Sequence, residues 1–206
     1  STQGYSSAAS DVYKRQILDL IFLKCYSFNK WAGYVSAQNY ANRKNYEVFQ
    51  MSKGFDDLLK KVSACDKKKV AVAVAEDAPV LEAVHAAKEK GIADAILVGD
   101  EAKIREVAAS MNMDLSDYEI VNEPDHVAAA HIAVSLVHDG KADMYMKGLI
   151  DTKNFLKSVL DKEVGLRTGK PLSHVCVFEV KGINRLLFLS DVAFMTYPTL
   201  EDKVAI

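Results

Sequence analysis

The sequence predicts an α/β protein with a largely parallel sheet whose strands alternate with helices. Several predicted strands are short runs of small and branched apolar residues without polar alternation, which is typical of strands covered on both faces. Between them lie segments of roughly ten to fifteen residues with helical apolar spacing. Hydrophobic residues make up 50% of the chain and charged residues 26%, the balance of a globular protein.

Apolar periodicity and turn residues place the elements in order from residue 51 onward. In chain order we predict a helix over 53–65, a strand over 70–75, a helix over 78–90, a strand over 93–98, a helix over 101–111, a strand over 118–121, a helix over 124–138, a strand over 142–146, a helix over 152–160, strands over 174–180 and 185–192, and a helix from Leu200 onward.

Capping residues support the first helices. Ser52 and Asp77 precede helical patterns and belong to the residue types that accept hydrogen bonds from free N–H groups at helix starts. Pro79 fits the first turn of the second helix, and Gly91 follows its last turn. The run 70–75 reads Val-Ala-Val-Ala-Val-Ala, which predicts a buried strand.

The end of the chain follows a different pattern. The Ala-rich helix over 124–138 is closed by Gly140, and Lys181-Gly182 predicts a tight turn between the last two strands. This late hairpin indicates an antiparallel edge or the beginning of a second subdomain. The chain stops at Ile206, within a predicted helix, so we expect it to be truncated before the second subdomain is complete.

Residues 1–50 lack this alternation and contain ten of the chain's 18 aromatic residues. Residues 6–16 resemble the in-frame translation of a transposase adaptor used in preparing sequencing libraries. We therefore expect 1–16 to be adaptor, 17–50 to be upstream read-through outside the fold, and Met51 to be the natural start. The alternative is a genuine aromatic-rich extension that packs on the protein.

Composition and missing motifs exclude several functional classes. A net charge of −2 gives no electrostatic footprint for nucleic acid or an anionic membrane. The three cysteines are far apart, which predicts a reducing cytoplasm and no metal site. Glycine loops for dinucleotides or nucleoside triphosphates, the HExxH zinc motif and the serine-hydrolase elbow are all absent from the sequence.

The most polar strand-end loop runs from Met146 to Thr152. It places the cation of Lys147, the flexible Gly148 and the hydroxyl of Thr152 between a strand and the start of a helix. Ligands bind beyond the carboxyl ends of parallel strands, and helix starts offer N–H groups to anions. This loop is therefore a candidate anion site, although Lys147 could instead be a solvated lysine in a simple turn.

A second polar cluster follows the same helix. Arg167 and Thr168 lie between glycines, and an arginine there could bind a phosphate through two hydrogen bonds. Ser173 is a further candidate, and Asp191 ends an apolar strand. The alternatives are ordinary surface charges at Arg167 and a turn cap at Asp191. The helical histidines are interpreted as surface or packing residues: His85, His126, His131 and His138.

Longer stretches resemble the phosphate acetyl/butyryltransferase family, and phosphate butyryltransferases in particular. The resemblance covers essentially all of 51–206 without large gaps, and none of 1–50. The stretches that carry it are residues 69–84, 91–100, 120–124, 146–148, 158–170, 173–175 and 187–193.

The resemblance implies an isocitrate/isopropylmalate dehydrogenase-like fold in which two α/β subdomains enclose a cleft. It implies a cytoplasmic homo-oligomer that interconverts butyryl-CoA plus phosphate with butyryl phosphate plus CoA. Coenzyme A is then a substrate, with no tightly bound cofactor, and the partners are small molecules, with neither nucleic acid nor a membrane. The resemblance assigns substrate or phosphate binding to these positions: Lys147, Gly148, Thr152, Arg167, Thr168 and Ser173.

Two departures limit what the resemblance implies. Met195 stands where the family pattern that opens at Asp191 usually has asparagine. The main arginine and the acidic base of related acetyltransferases belong to a carboxy-terminal half that this chain lacks. We therefore expect no turnover from the chain alone, and Asp191 is only a weak catalytic candidate. The alternatives are a phosphate acetyltransferase, a branched-acyl transferase, a non-catalytic module that binds CoA or acyl phosphate, and a dehydrogenase on the related fold.

Overall fold

The computed structural model describes residues 53–191 and 194–206. The predictions for residues 1–50, Met51 and Ser52 therefore lie outside the described residues. Within the described part, the chain divides into two compact units. The first unit is residues 66–168, and the second combines 53–65 with 169–191 and 194–206.

Helices and strands alternate along the described chain, as the sequence predicts. In chain order the elements are α1 (Phe55–Ser63), β1 (Lys68–Ala73), α2 (Ala78–Glu89), β2 (Ala93–Gly99), α3 (Glu101–Ser110), β3 (Glu119–Asn122), α4 (His126–His138), β4 (Met144–Lys147), α5 (Thr152–Val159), β5 (Val175–Glu179), β6 (Leu186–Ser190) and α6 (Leu200–Ala205).

The first unit is built on a four-stranded parallel sheet in the order β3-β2-β1-β4. The register pairs Val70 of β1 with Ala95 of β2 and with Met144 of β4. The chain adds β2 and β3 on one side of β1 and then crosses back to add β4 on the other side. The point where the strand order reverses therefore lies between β1 and β4, which is where ligands bind in open α/β sheets.

The core of the first unit lies between this sheet and α4. Small residues on α4, Ala129, Ala130 and Ala133, are buried and let the helix pack closely on the sheet. The centre of β1 is fully buried because its Val-Ala pattern presents apolar side chains to both faces. These contacts fix the position of the strand ends.

A polar network fastens α5 to this core. The Tyr145 hydroxyl of β4 donates to the Ala130 carbonyl at 3.3 Å and shares a 2.8 Å hydrogen bond with the Ser158 hydroxyl. The Tyr145 ring stacks on Phe155 at 4.6 Å. Burial raises the pKa of Tyr145 to about 12. The network satisfies two buried hydroxyls and fixes α5 against β4.

Two predicted boundaries and one predicted capping interaction differ from the structure for reasons that its geometry shows. β1 ends at Ala73 instead of residue 75, because Val74 takes a left-handed conformation with φ 59°. Asp77 occupies the N-cap position of α2, but its side chain accepts no cap hydrogen bond. α4 begins at His126, two residues after Pro124, because the Asp125 carboxylate accepts hydrogen bonds from Val127 N and Ala128 N.

The second unit contains the predicted hairpin. β5 and β6 pair antiparallel, and Gly182 in their turn has φ 90°, a conformation that favours glycine. The N-cap of α1 is Gly54, and the Glu179 carboxylate of β5 accepts a 2.8 Å hydrogen bond from Phe55 N. Glu179 of the hairpin thus supplies an acceptor to the start of α1.

Candidate functional site

The polar strand-end loop lies at the reversal point of the sheet. Lys147, the last residue of β4, is in register with Ala73, the last residue of β1. The pairing continues past the strands, since Gly148 N donates to the Ala73 carbonyl at 2.8 Å and Leu149 N donates to the Val74 carbonyl at 2.7 Å. These two hydrogen bonds fix where the exposed Lys147 side chain starts.

Gly148 is required by close packing. A Cβ atom at this position would lie 2.1 Å from the Val74 carbonyl oxygen and 2.6 Å from the Ala73 carbonyl oxygen, closer than real Cβ atoms approach other heavy atoms. The left-handed turn at Val74 brings its carbonyl to this position. From the sequence we predicted that Gly148 makes the loop flexible. In the structure, glycine is needed because a side chain at position 148 would collide with the Ala73 and Val74 carbonyls.

The start of α5 is already capped. The Asp151 carboxylate accepts hydrogen bonds from Asn154 N at 2.9 Å and from Asn154 Nδ2 at 2.6 Å. The hydrogen bond from Asn154 N is the main cause that holds the pKa of Asp151 below its usual value. Asn154 N, like Gly148 N and Leu149 N, therefore donates within the protein. An anion at this loop would rely mainly on Lys147, the Thr152 hydroxyl and the remaining N–H groups.

The loop that carries Arg167 is held tightly to the first unit. Asp161 Oδ1 accepts hydrogen bonds from Glu163 N and Val164 N, and the bond from Val164 N is the main cause that lowers the Asp161 pKa. Gly165 packs so closely that a Cβ atom would lie 2.3 Å from the Asp161 carbonyl oxygen. This loop presents Arg167 as an exposed side chain.

Two further contacts anchor the same loop beside Arg167. Leu166 N donates to the Val159 carbonyl at 2.8 Å, and His138 Nδ1 lies 3.2 Å from the Gly165 carbonyl oxygen. Val164 and Leu166 also pack against the core. The backbone that carries Arg167 is therefore fixed, while its guanidinium forms no ion pair with any residue that the structure describes.

The predicted site residues fall in both units. Lys147, Gly148 and Thr152 belong to the first unit with Arg167 and Thr168. Ser173 and Asp191 belong to the second unit, where Ser173 is half-buried just before β5. The roles of all these residues in substrate binding stay predictions.

Asp191 organises the backbone around it. Its Oδ1 accepts a hydrogen bond from His174 N at 2.9 Å. Its Oδ2 accepts hydrogen bonds from Phe194 N at 3.0 Å and Met195 N at 2.6 Å. A carboxylate that accepts several backbone N–H groups around a turn acts as a cap, which favours that alternative for Asp191. Met195 contributes its backbone N–H to this arrangement, so that contact does not depend on the asparagine of the family pattern.

Sequence reasoning missed a buried acid. Glu76 follows β1 by three residues, and its side chain is only 3% exposed. Neither of its carboxylate oxygens accepts a hydrogen bond from a residue that the structure describes. His126 Nε2 lies 3.4 Å from Glu76 Oε1, and the imidazole is 45% exposed. The one sequence signal is an acidic residue directly after a wholly apolar run, and it does not identify the partner.

The described residues, 53–191 and 194–206, contain neither a cluster of metal ligands nor a membrane-spanning helix. In this part of the chain no group of three or more His, Cys, Asp or Glu side chains is placed to hold a metal ion. Nor does any helix within these ranges have the length and apolarity needed to cross a membrane.

A family model matches most of the chain. The family is described as "Phosphate acetyl/butaryl transferase", and its model matches residues 55–131 and 124–206. The match spans both the strand-end loop at Lys147 and the loop that carries Arg167, and it extends to the end of the second unit.

Individual relatives agree with the family model. The chain is 60% identical over 156 residues to a phosphate butyryltransferase of Clostridium acetobutylicum, covering 76% of this chain and 52% of that protein. It is 43% identical over 117 residues to a phosphate acetyltransferase of Rhizobium meliloti, covering 57% of this chain and 37% of that protein. The chain spans about half the length of the first curated relatives it matches.

A solved structure supports the fold. The crystal structure of a branched-chain phosphotransacylase from Enterococcus faecalis V583 is 29% identical, with a TM-score of 0.54. The alignment covers 68% of this chain and 48% of that one. The α/β architecture with a parallel sheet, predicted from the sequence, is thereby confirmed.

Proposed function

Because this chain belongs to the phosphate acetyl/butaryl transferase family, we propose that it acts in the interconversion of butyryl-CoA plus phosphate with butyryl phosphate plus CoA. The observation that carries the proposal is the high identity to the phosphate butyryltransferase of Clostridium acetobutylicum. Coenzyme A is a substrate in this reaction, and no tightly bound cofactor takes part.

The chemistry requires one nucleophile and stabilised negative charge. The CoA thiolate attacks the acyl-phosphate carbonyl carbon, an oxyanion develops, and phosphate leaves. Cations beside the phosphate stabilise the charge of the leaving group, and fixed donors beside the carbonyl stabilise the oxyanion. In this proposal Lys147 and Arg167 supply the cations, and Thr152 supplies a hydroxyl donor.

The geometry of the first unit supports these roles. Lys147 lies at the carboxyl end of β4, where the strand order reverses, and its backbone is fixed by the two hydrogen bonds that Gly148 permits. Arg167 extends from a loop with an equally fixed backbone. Side chains on fixed backbones bind a phosphate with less loss of entropy.

The remaining site residues have lesser roles. We assign Thr168 and Ser173 to the binding of phosphate or CoA, as the family resemblance implies. Asp191 is assigned a structural role, because its carboxylate oxygens accept hydrogen bonds from three backbone N–H groups.

Two alternatives differ in substrate or in class. A phosphate acetyltransferase is favoured by the Rhizobium meliloti relative, but that protein is less similar than the butyryltransferase. Pocket volume sets acyl preference, and one methylene changes discrimination by only about 1–3 kcal/mol. The second alternative is a non-catalytic module that binds CoA or acyl phosphate. We further propose that the protein works in the cytoplasm as a homo-oligomer with small-molecule partners only.

The test uses the Clostridium acetobutylicum relative as a frame. In a chimera, the segment of that protein that matches this chain is replaced by the corresponding residues of this chain. Phosphate-dependent release of free CoA thiol is followed with butyryl-CoA and acetyl-CoA in parallel, beside the unmodified relative and the chain alone. Release that requires phosphate and is faster with butyryl-CoA supports the proposal, and faster release with acetyl-CoA favours the acetyltransferase. A folded chimera without release contradicts both and favours the binding module.

Variants of the chimera test the anion loop. We expect Lys147→Ala to raise the KM for phosphate by about tenfold or more, since a charge-assisted hydrogen bond contributes about 1.5–3 kcal/mol. Lys157→Ala is the matched control, because Lys157 is an exposed lysine in the last turn of α5. Equal KM values for the two variants would remove Lys147 from the phosphate site.

A further inference from the structure

Lys147 differs from the other lysines that the structure places on β-strands. Lys68 and Lys69 begin β1 at the amino edge of the parallel sheet, where Lys68 Nζ lies 3.6 Å from Asp143 Oδ1 and Lys69 Nζ lies 3.7 Å from Glu119 Oε2. Lys147 ends β4 at the opposite, carboxyl edge. It forms no ion pair with any residue in the described part of the chain. The lysine at the edge where ligands bind therefore keeps its charge for a ligand.

The surroundings of Lys147 leave its amine accessible. Its Nζ donates a long hydrogen bond of 3.5 Å to the neighbouring Gly148 carbonyl, and the residue is exposed. Asp151, the next acid along the chain, already accepts hydrogen bonds from Asn154 N and Asn154 Nδ2. The backbone is nevertheless fixed, because Gly148 N and Leu149 N donate to the chain at the end of β1. Lys147 is thus an accessible primary amine on a fixed backbone.

An acyl phosphate bound beside this amine has a second possible reaction. Its carbonyl carbon is activated for attack by thiolates and also by amines, because phosphate is a good leaving group. That carbon is separated from the phosphorus by a single oxygen, so a cation that binds the phosphate lies close to it. Holding two reacting groups together raises the rate of their reaction far above the rate in free solution.

We propose that Lys147 is a modification site, which the bound acyl phosphate acylates when CoA is absent. The inference rests on the proposed function, but only on the binding of an acyl phosphate at the Lys147 loop and not on turnover. The Nζ ammonium first loses a proton to solvent, and the neutral amine forms a bond to the carbonyl carbon. The bond from that carbon to the phosphate oxygen breaks, and phosphate leaves with the electron pair. The second amine proton passes to the released phosphate, and the product is an amide.

Acylation of Lys147 has a direct electrostatic consequence. An amide carries no charge, so the modified side chain no longer provides a cation for phosphate. The CoA thiolate competes for the same carbonyl carbon, and we expect the modification only where acyl phosphate is plentiful and CoA is scarce. The transferase would then lose activity under the conditions in which its acyl acceptor has run out.

The experiment incubates the 206-residue chain with butyryl phosphate in the absence of CoA and follows the acylation of each lysine by mass spectrometry. We expect Lys147 to react about tenfold or more faster than Lys157, because the bound phosphate brings the carbonyl carbon to Lys147 alone. Lys157 is the internal control, since it is an exposed lysine in the last turn of α5. Added inorganic phosphate is expected to slow the acylation of Lys147 and leave that of Lys157 unchanged.

A second reagent separates binding from simple accessibility. The N-hydroxysuccinimide ester of butyric acid transfers the same acyl group but carries no phosphate. With this ester, the preference for Lys147 over Lys157 is expected to disappear, and inorganic phosphate is expected to have no effect. An equal preference with both reagents would show that Lys147 is only an accessible amine, and it would overturn the inference.

The chimera described above tests the consequence for activity. Pre-incubation with butyryl phosphate should lower its rate in step with the acylation of Lys147, whereas the Lys147→Arg chimera should keep its own starting rate. Equal losses in the two proteins would place the inactivating acylation at another residue and overturn the inference.

The outcomes distinguish this inference from the proposed function. A chimera that turns over, combined with equal acylation of Lys147 and Lys157 by butyryl phosphate, overturns the inference and leaves the proposed function standing. An inactive chimera combined with selective, phosphate-sensitive acylation of Lys147 has the opposite meaning. The inference is then supported, and the proposed transferase activity is contradicted.

Discussion

Gly148→Ala tests whether close packing against β1, and not only backbone conformation, requires glycine at position 148. The added Cβ would lie 2.1 Å from the Val74 carbonyl oxygen, so the β4 end must retreat by about 1 Å to reach a normal contact distance. That movement breaks the hydrogen bonds of 2.8 and 2.7 Å that Gly148 N and Leu149 N donate. Breaking each bond leaves a buried carbonyl without its donor, which costs about 1–3 kcal/mol.

We therefore expect Gly148→Ala to lower the free energy of unfolding by about 2–6 kcal/mol for the two bonds together, a range that reaches the extreme of single substitutions. Urea unfolding followed by far-UV circular dichroism measures this loss, and amide exchange at Leu149 localises it. Gly140→Ala is the control, because Gly140 has φ 73° with nothing within 4 Å of its built Cβ. It should cost about 1 kcal/mol from conformation alone. A loss in Gly148→Ala no larger than in Gly140→Ala would refute the steric argument.

Three other substitutions probe features of the fold. Val74→Gly should be at least as stable as Val74→Ala, because the left-handed conformation of residue 74 favours glycine by about 1 kcal/mol. At an ordinary strand position alanine is the more stable of the two. A lower urea midpoint for Val74→Gly than for Val74→Ala would contradict this. The pKa of Tyr145 is about 12 in the folded chain and about 10 in the unfolded chain. The neutral phenol therefore contributes fully to stability below pH 10. As the pH rises through 12, the free energy of unfolding falls by about 2–3 kcal/mol. Tyr145→Phe should flatten that decline in urea midpoints, and an equally steep decline would exclude Tyr145 as its cause. Glu179→Ala should destabilise α1 by about 1 kcal/mol and so speed amide hydrogen exchange in that helix alone, because Phe55 N loses its acceptor. Unchanged exchange would show that Glu179 does not cap α1.

The alternation of elements could be predicted because each depends on local chemistry. The run of Val and Ala in β1 is apolar on both faces, which only a covered parallel strand tolerates. Gly91 and Gly140 both adopt positive φ after their helices, as glycine in those places predicts. The errors arose where two local signals compete. Pro124 favoured an early start for α4, but the carboxylate of Asp125 caps the helix one residue later.

The position of the candidate site could be predicted only in part. The sequence places the Lys147 loop between an apolar strand and a helix, and the structure has it there. The hydrogen bonds that Gly148 N and Leu149 N donate to the chain at the end of β1 depend on the register between β1 and β4. No local pattern in the sequence specifies that register. The burial of Glu76 beside His126 depends on how α4 packs on the sheet, and an acid next to a valine–alanine run does not predict that contact.

The division of the second unit between two segments of chain has a consequence for synthesis. Phe55 N finds its acceptor on Glu179, 124 positions later, whereas all residues of the first unit from 66 to 168 are consecutive. During synthesis, the four strands of the parallel sheet leave the ribosome before Glu179, the residue that accepts the hydrogen bond from the start of α1. We therefore expect the first unit, whose described residues are consecutive, to fold before the second unit, which needs both α1 and the hairpin.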